Sequence, residues 1–201
     1  MSKDKNVSED EGARYLDPVD QAAVIDEAKL TVTPAQHERL KQGLHGDVLK
    51  QIKRAGRRYL VIGRGDGDAG NRREAVVSQL NDRRDAIAFR LEEFGFSTND
   101  IDLWAPAFDI LAEMVTHIVG VLEDFDGGHV WELGYLYRYQ THVRNILWLL
   151  KRYYKTDAEM REKYDNGMAA AHLRALEEAV AERVIGWETS EELRKAVTTI
   201  P

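Results

Sequence analysis

Asp126 and Glu132 stand six residues apart in LEDFDGGHVWELGYLYR, residues 122–138. Two carboxylates that close can divide the breaking of a bond at an electrophilic carbon. One attacks, and the other supplies a proton to the departing group. A carboxylate nucleophile must be ionised and poorly solvated, and the first turns of a helix offer unpaired N–H groups and a positive dipole end that favour the anion. Glu132 falls in what should be such a turn. Gly127 and Gly128 permit a ligand to approach the backbone closely. Trp131, with Phe125 and Tyr135, supplies apolar surface to exclude water and a flat face for stacking, and His129 lies inside the same turn.

A structural reading of the same residues stays open. Asp126 suits a helix N-cap and Glu132 a first-turn partner of the helix dipole. Trp131 and Tyr135 are four residues apart, a spacing common in core packing, and His129 suits a cap or surface position.

The surrounding pattern says what must position these groups. RRYLVIG (57–63), HIVGVLE (117–123), NILWLLKR (145–152) and RVIGW (183–187) are short apolar runs that read as buried strands. IDLWAP (101–106) reads as a weaker strand stopped by Pro106. NRREAVVSQLNDRRDAIAFRLEEFGF (71–96) reads as one or two helices, and FDILAEMVT, GHVWELGYLYRYQ, DAEMREKYDNGMAAAHLRALEEAVAE and TSEELRKAV as further helices, the third broken near Asn166-Gly167. Strands that are apolar throughout and alternate with helices predict a three-layer α/β fold with a mostly parallel sheet of four or five strands, flavodoxin-like or Rossmann-like. Residues 1–16 read as a disordered acidic tail, 17–56 as a helical extension with a Thr-Pro helix start at Thr33 and a stop at Gly56, and 57–201 as the α/β domain.

In such folds ligands sit beyond the C-terminal ends of the strands. Two loops are expected there: the turn at Asp126 and GRGDGDAGN after the first strand. In the latter, Gly65, Gly67 and Gly70 spell G-x-G-x-x-G between a strand and a helix, the context of a dinucleotide fingerprint. Asp66 and Asp68 argue against a pyrophosphate, and no clean second strand ends in an acid at the expected distance. Three readings follow: acids that cap the next helix, a loop lining a ligand site through Gly63, Arg64, Gly65 and Asp66, or a redox dinucleotide site. Arg64 is the expected contact for any bound anion.

The turn itself resembles the D-x-G-x-x-x-E-x-G pattern of the nucleoside 2-deoxyribosyltransferase family, here Asp126-Gly127-Gly128-His129-Val130-Trp131-Glu132-Leu133-Gly134, followed by Tyr135. THIVGVLED and YLVIG are similar to that family's strands, and the wider TIR-like nucleotide-binding group shares a strand, loop and ELGY arrangement. The resemblance covers residues 57–150. It implies N-glycosidic chemistry, with Glu132 as the nucleophile that forms a glycosyl-enzyme and Asp126 as the acid on the base side. His129 stands where the family has a small hydroxyl residue. The implied ligand is a nucleoside, nucleotide or NAD, bound also by Gly127, Gly128, His129 and Trp131, with no cofactor. Cleavage or transfer of the glycosidic bond competes with a non-catalytic sensing or interaction module on the same scaffold, and more weakly with the redox reading.

Composition narrows the alternatives. The 201 residues, 43% hydrophobic, suffice for one domain with a single core. With no cysteine there is no disulfide, thiolate metal site or cysteine nucleophile. No two histidines have metal-ligand spacing beside acids, so no metal is expected. A net charge of -7 argues against a general nucleic-acid binder, and the basic run KQIKRAGRR (50–58) reads as a solvated helix face. The apolar runs are too short to span a bilayer and the first residues are polar and charged, so a cytoplasmic protein without membrane contact is expected, with a homo-oligomer left open.

Overall fold

The computed structural model describes residues 33–96, 100–138, 145–165 and 167–201. The expected tail and residues 17–32 of the expected extension lie outside the described residues.

Five strands form one sheet: β1 (Arg57–Gly63), β2 (Ala86–Phe89), β3 (His117–Leu122), β4 (Leu147–Arg152) and β5 (Val184–Trp187). All pairings are parallel and the order is β2-β1-β3-β4-β5. Eight α-helices occur among the described residues: α1 (Pro34–Gly43), α2 (Asp47–Arg54), α3 (Gly67–Asn81), α4 (Ile101–Met114), α5 (His129–Arg138), α6 (Asp157–Tyr164), α7 (Gly167–Val180) and α8 (Ser190–Thr199). This is the flavodoxin-like strand order, in which the chain leaves β1 and β3 toward opposite faces.

Alternation along the strands builds two cores. Tyr59, Val61, Ala88, Val119, Val121 and Leu150 point to one face, where Val76, Val77 and Leu80 of α3 and Leu193, Ala196 and Val197 of α8 cover them. Leu60, Ile62, Phe89, Ile118, Leu122 and Leu149 point to the other, under α4, α5 and α7. Burial on both faces explains why the strands read as continuous apolar runs.

Two elements differ from the sequence reading. The weak strand expected at IDLWAP is the start of α4, with Pro106 inside the helix. Leu103, Ala107, Phe108, Leu111 and Ala112 fall on one helical face, each at most 2% exposed, and that burial outweighs the hydrogen bond lost at proline. The second strand is AIAF, which had read as part of a helix. Asn81 marks the change, its side chain donating to the Ala88 carbonyl and accepting from the Ala88 N–H at 3.0 and 2.7 Å.

The described part of the extension is helical and packs on the main core. Thr33 caps α1 in a reciprocal capping box with Gln36. Leu40, Leu44 and Ile52 are buried in the main core, with Leu49 packed against it. Arg39 and Gln36 reach Asp102 at the start of α4, with Arg39 Nη1 at 3.3 Å and Gln36 Nε2 at 3.0 Å. If this segment braces the domain, Ile52→Ala lowers unfolding free energy by about 2–5 kcal/mol, measured by urea titration, because it empties a fully buried site. A change under about 0.5 kcal/mol would show the extension to be dispensable.

Candidate active site

The loops after β1 and β3 meet over one cavity of about 820 Å³, a volume suited to a small organic ligand. Its lining brings together ten of the residues the sequence singles out: Gly63, Arg64, Gly65 and Asp66 from the first loop, and Asp126, Gly127, Gly128, His129, Trp131 and Glu132 from the second. Three lining residues were not anticipated, namely Glu92, Trp104 and Ala105. All three come from the two segments whose secondary structure the sequence misassigned.

The acids of the second loop have distinct tasks. Glu123, 4% exposed, receives a bidentate bond from Arg72 of α3 (Nε 2.6 Å, Nη2 2.5 Å) and another from Arg152 of β4 (2.8 Å). It staples α3 and β4 to the end of β3. Asp124 shapes the turn. Its Oδ1 accepts from the Asp126 N–H at 3.0 Å, and its carbonyl accepts from His129 Nε2 at 2.9 Å. Burial holds the His129 pKa below the usual histidine range, so the ring is a neutral latch on the loop.

Arg64 ties the two loops together. Its Nε donates to Asp66 at 2.8 Å, and its Nη1 to Asp124 at 3.1 Å and Asp126 at 3.5 Å. Two expectations change here. Arg64 is already paired with three carboxylates, so an anionic ligand would have to displace them. Asp66 occupies the N-cap position of α3 but makes no side-chain cap bond, because its carboxylate turns to Arg64. Asp126 likewise faces Arg64, 82% exposed at the cavity rim, while α5 starts after Gly128.

Glu132 lies in the first turn of α5, as expected, but its electrostatics are reversed from that expectation. The N–H groups of Val130, Trp131 and Glu132 are taken up by the Gly127 and Gly128 carbonyls. Burial, and then the neighbouring Glu92 charge, push the Glu132 pKa up to about 7, opposed by Arg73. Desolvation outweighs the helix dipole. The carboxyl is therefore a poised rather than a fixed anion.

The aromatic residues divide as well. Trp131 stacks on Tyr135 at 5.2 Å and meets Phe108 edge-on at 6.4 Å, yet stays 48% exposed on the cavity. Phe125 is buried instead against Tyr164 at 5.2 Å and does not line the cavity. Trp104, not Phe125, is the second aromatic residue on the cavity. A helical reading of residues 101–114, with Trp104 and Phe108 four apart, was the signal that could have found it.

Among the described residues no group of three His, Asp or Glu side chains is placed to hold a metal, and no helix is long and apolar enough to cross a membrane. Neither a scan against protein-family models nor a search among curated proteins gives a match.

A raised carboxyl pKa in the folded state means that the fold loses stability as pH rises from the ordinary glutamate range through about 7. Glu132→Gln should therefore raise unfolding free energy at pH 8 by on the order of 2 kcal/mol and leave it nearly unchanged at pH 4. Denaturant titrations at the two pH values test this. A loss of stability at pH 8 would show that Glu132 serves the helix dipole instead.

Proposed function

We propose that the cavity takes a nucleoside, nucleotide or NAD and that the protein cleaves or transfers its N-glycosidic bond, with Glu132 as nucleophile. The observation that carries this reading is the poised Glu132 carboxyl within a cavity at the β1/β3 crevice, beside the exposed Trp131. The resemblance of residues 126–135 to the deoxyribosyltransferase pattern supports the same assignment.

In the chemistry proposed, a Glu132 carboxylate oxygen attacks C1′ of the sugar as the bond from C1′ to the base nitrogen breaks. The electron pair leaves with the base, which takes a proton from Asp126 or from water bound at the rim. The glycosyl ester on Glu132 is then opened by water or by a second base, which restores the carboxylate. Trp131 offers an aromatic face pre-set by Tyr135 and Phe108, suited to a stacked base. Partial burial serves the attack, since a weakly solvated carboxylate is the stronger nucleophile, and it is also what raises the Glu132 pKa.

A binding-only module is the second reading. It is favoured by the network at the rim, where Asp126, the proposed acid, already faces Arg64 at 3.5 Å. The two readings share the cavity and differ in turnover.

Incubation with a panel of nucleosides, nucleotides and NAD, followed by chromatography for free base, separates them. The catalytic reading predicts that kcat/KM rises with pH to a plateau above about 7, because only ionised Glu132 attacks. Glu132→Gln should cut base release by about 10³-fold or more with little change in ligand affinity, as for a group used in the transition state. Asp126→Asn should slow poor leaving groups most. Full turnover in Glu132→Gln would end the nucleophile assignment, and no base release from any substrate would leave the binding module.

A further inference from the structure

Glu92 is the one charged residue among the three unanticipated lining residues. It follows β2 on a short 3-10 turn, Leu91–Phe94, and lines the cavity together with Glu132. Its Oε1 accepts from Arg73 Nη2 at 2.6 Å, and Arg73 Nη1 donates to the Gly63 carbonyl at 2.8 Å. Arg73 is 4% exposed, so the carboxylate is anchored to the end of β1 through a buried arginine. The Glu92 side chain is nevertheless 42% exposed. A carboxylate has about four acceptor sites, so one fixed bond leaves capacity for a ligand. Gly65 faces the same group. A Cβ added there would stand 3.5 Å from Glu92 Oε1 and 3.4 Å from Arg73 Nη2, so the bare backbone keeps this cradle open.

The stereochemistry of the proposed reaction gives the cradle a task, and the inference rests on that reading of Glu132. In a β-N-glycoside a nucleophile reaches C1′ from the face opposite the base. The 2′- and 3′-hydroxyls of ribose project from that same face. A second carboxylate beside the nucleophile therefore meets the diol. Glu92 is close enough for its charge to act on Glu132. It also stands just past the second strand of a parallel α/β sheet, after a glycine loop on the first, which is the place from which an acid holds ribose hydroxyls in dinucleotide folds. The sequence shows no clean second strand ending in an acid, whereas in the structure β2 ends at Phe89 and Glu92 follows three residues later.

We propose that Glu92, held by Arg73, accepts hydrogen bonds from the 2′- and 3′-hydroxyls of the substrate sugar, so that the cavity selects ribonucleosides and ribonucleotides over their 2′-deoxy counterparts. The family resemblance alone would point to deoxyribose. A missing hydroxyl leaves an acceptor unpaired, and selectivity follows from that loss. Because Glu92 is partly exposed, water replaces some of the bond, and the preference should be on the order of 10–100-fold, below that of a fully buried site.

The test measures binding apart from turnover. Dissociation constants are taken by calorimetry on the full chain carrying Glu132→Gln. The ligands are adenosine, guanosine, cytidine, uridine and their 5′-monophosphates, each beside its 2′-deoxy counterpart (thymidine and its monophosphate for uridine). The ribo form should bind 10–100-fold more tightly in at least one pair, and Glu92→Ala should bring that ratio to near one. Gly65→Ala, whose added methyl has ordinary contact distances, should fold normally and also shrink the ratio by crowding the cradle. A ratio near one in every pair, a ratio that survives Glu92→Ala, or no binding at all would overturn the proposal. Base release by the unmutated protein is scored separately. Selective binding without base release from any compound sustains the Glu92 assignment and removes the N-glycosidic reading. Equal release from ribo and deoxy substrates does the reverse.

Discussion

The parallel pairing of β1 with β3 is the constraint on which the rest of the molecule depends. Tyr59 to Gly63 lie in register with His117 to Val121, so the two strands end side by side. From that common edge the chain must go to opposite faces, because α3 covers one core and α5 the other. The backbones diverge and leave a crevice that neither helix fills. Arg64 spans it with ion pairs, and the Glu123 staple fixes its outer lip to α3 and β4. The cavity follows from the winding order, and the side chains give it polarity and shape.

Within that crevice, charge is arranged to oppose the simplest electrostatic expectation. A helix N-terminus should favour an anion, but its effect is small beside the cost of removing a carboxylate from water. Glu132 sits where desolvation and the Glu92 charge act in the same sense, and only Arg73 counters them. Arg73 is itself engaged by Glu92 and by the Gly63 carbonyl. The site thus holds its ionised carboxyl at a free-energy disadvantage that the helix end does not offset.

How much of this was legible in the sequence depends on the range of the interaction concerned. β1, β3 and β4 are continuous apolar runs bounded by turn residues, and their burial on both faces makes such runs unambiguous. The two loops and their ten candidate residues followed from those strands. β2 was not legible, because four residues, AIAF, follow a helix without a glycine or proline boundary. Glu92 went unnoticed with it. α4 was read as a strand because Pro106 is a strong local stop signal, whereas what overrides it is the packing of Leu103, Ala107, Phe108 and Leu111 against a distant sheet. Trp104 was lost by that error. The engagement of Arg64 by Asp124 and Asp126 spans about sixty residues of chain, and no local pattern announces it.

A carboxyl that titrates near 7 makes the site a partner in proton exchange with the solvent. At neutral pH the population is divided between the acid and its anion, so any occupant that prefers one form shifts the division. A ligand that only deepens burial draws protons from the buffer, and one that brings positive charge to Glu132 releases them. The heat of binding then contains the buffer's own ionisation heat, in proportion to the protons moved. The sign of that exchange reports the charge the occupant presents to Glu132, without any need to observe a reaction.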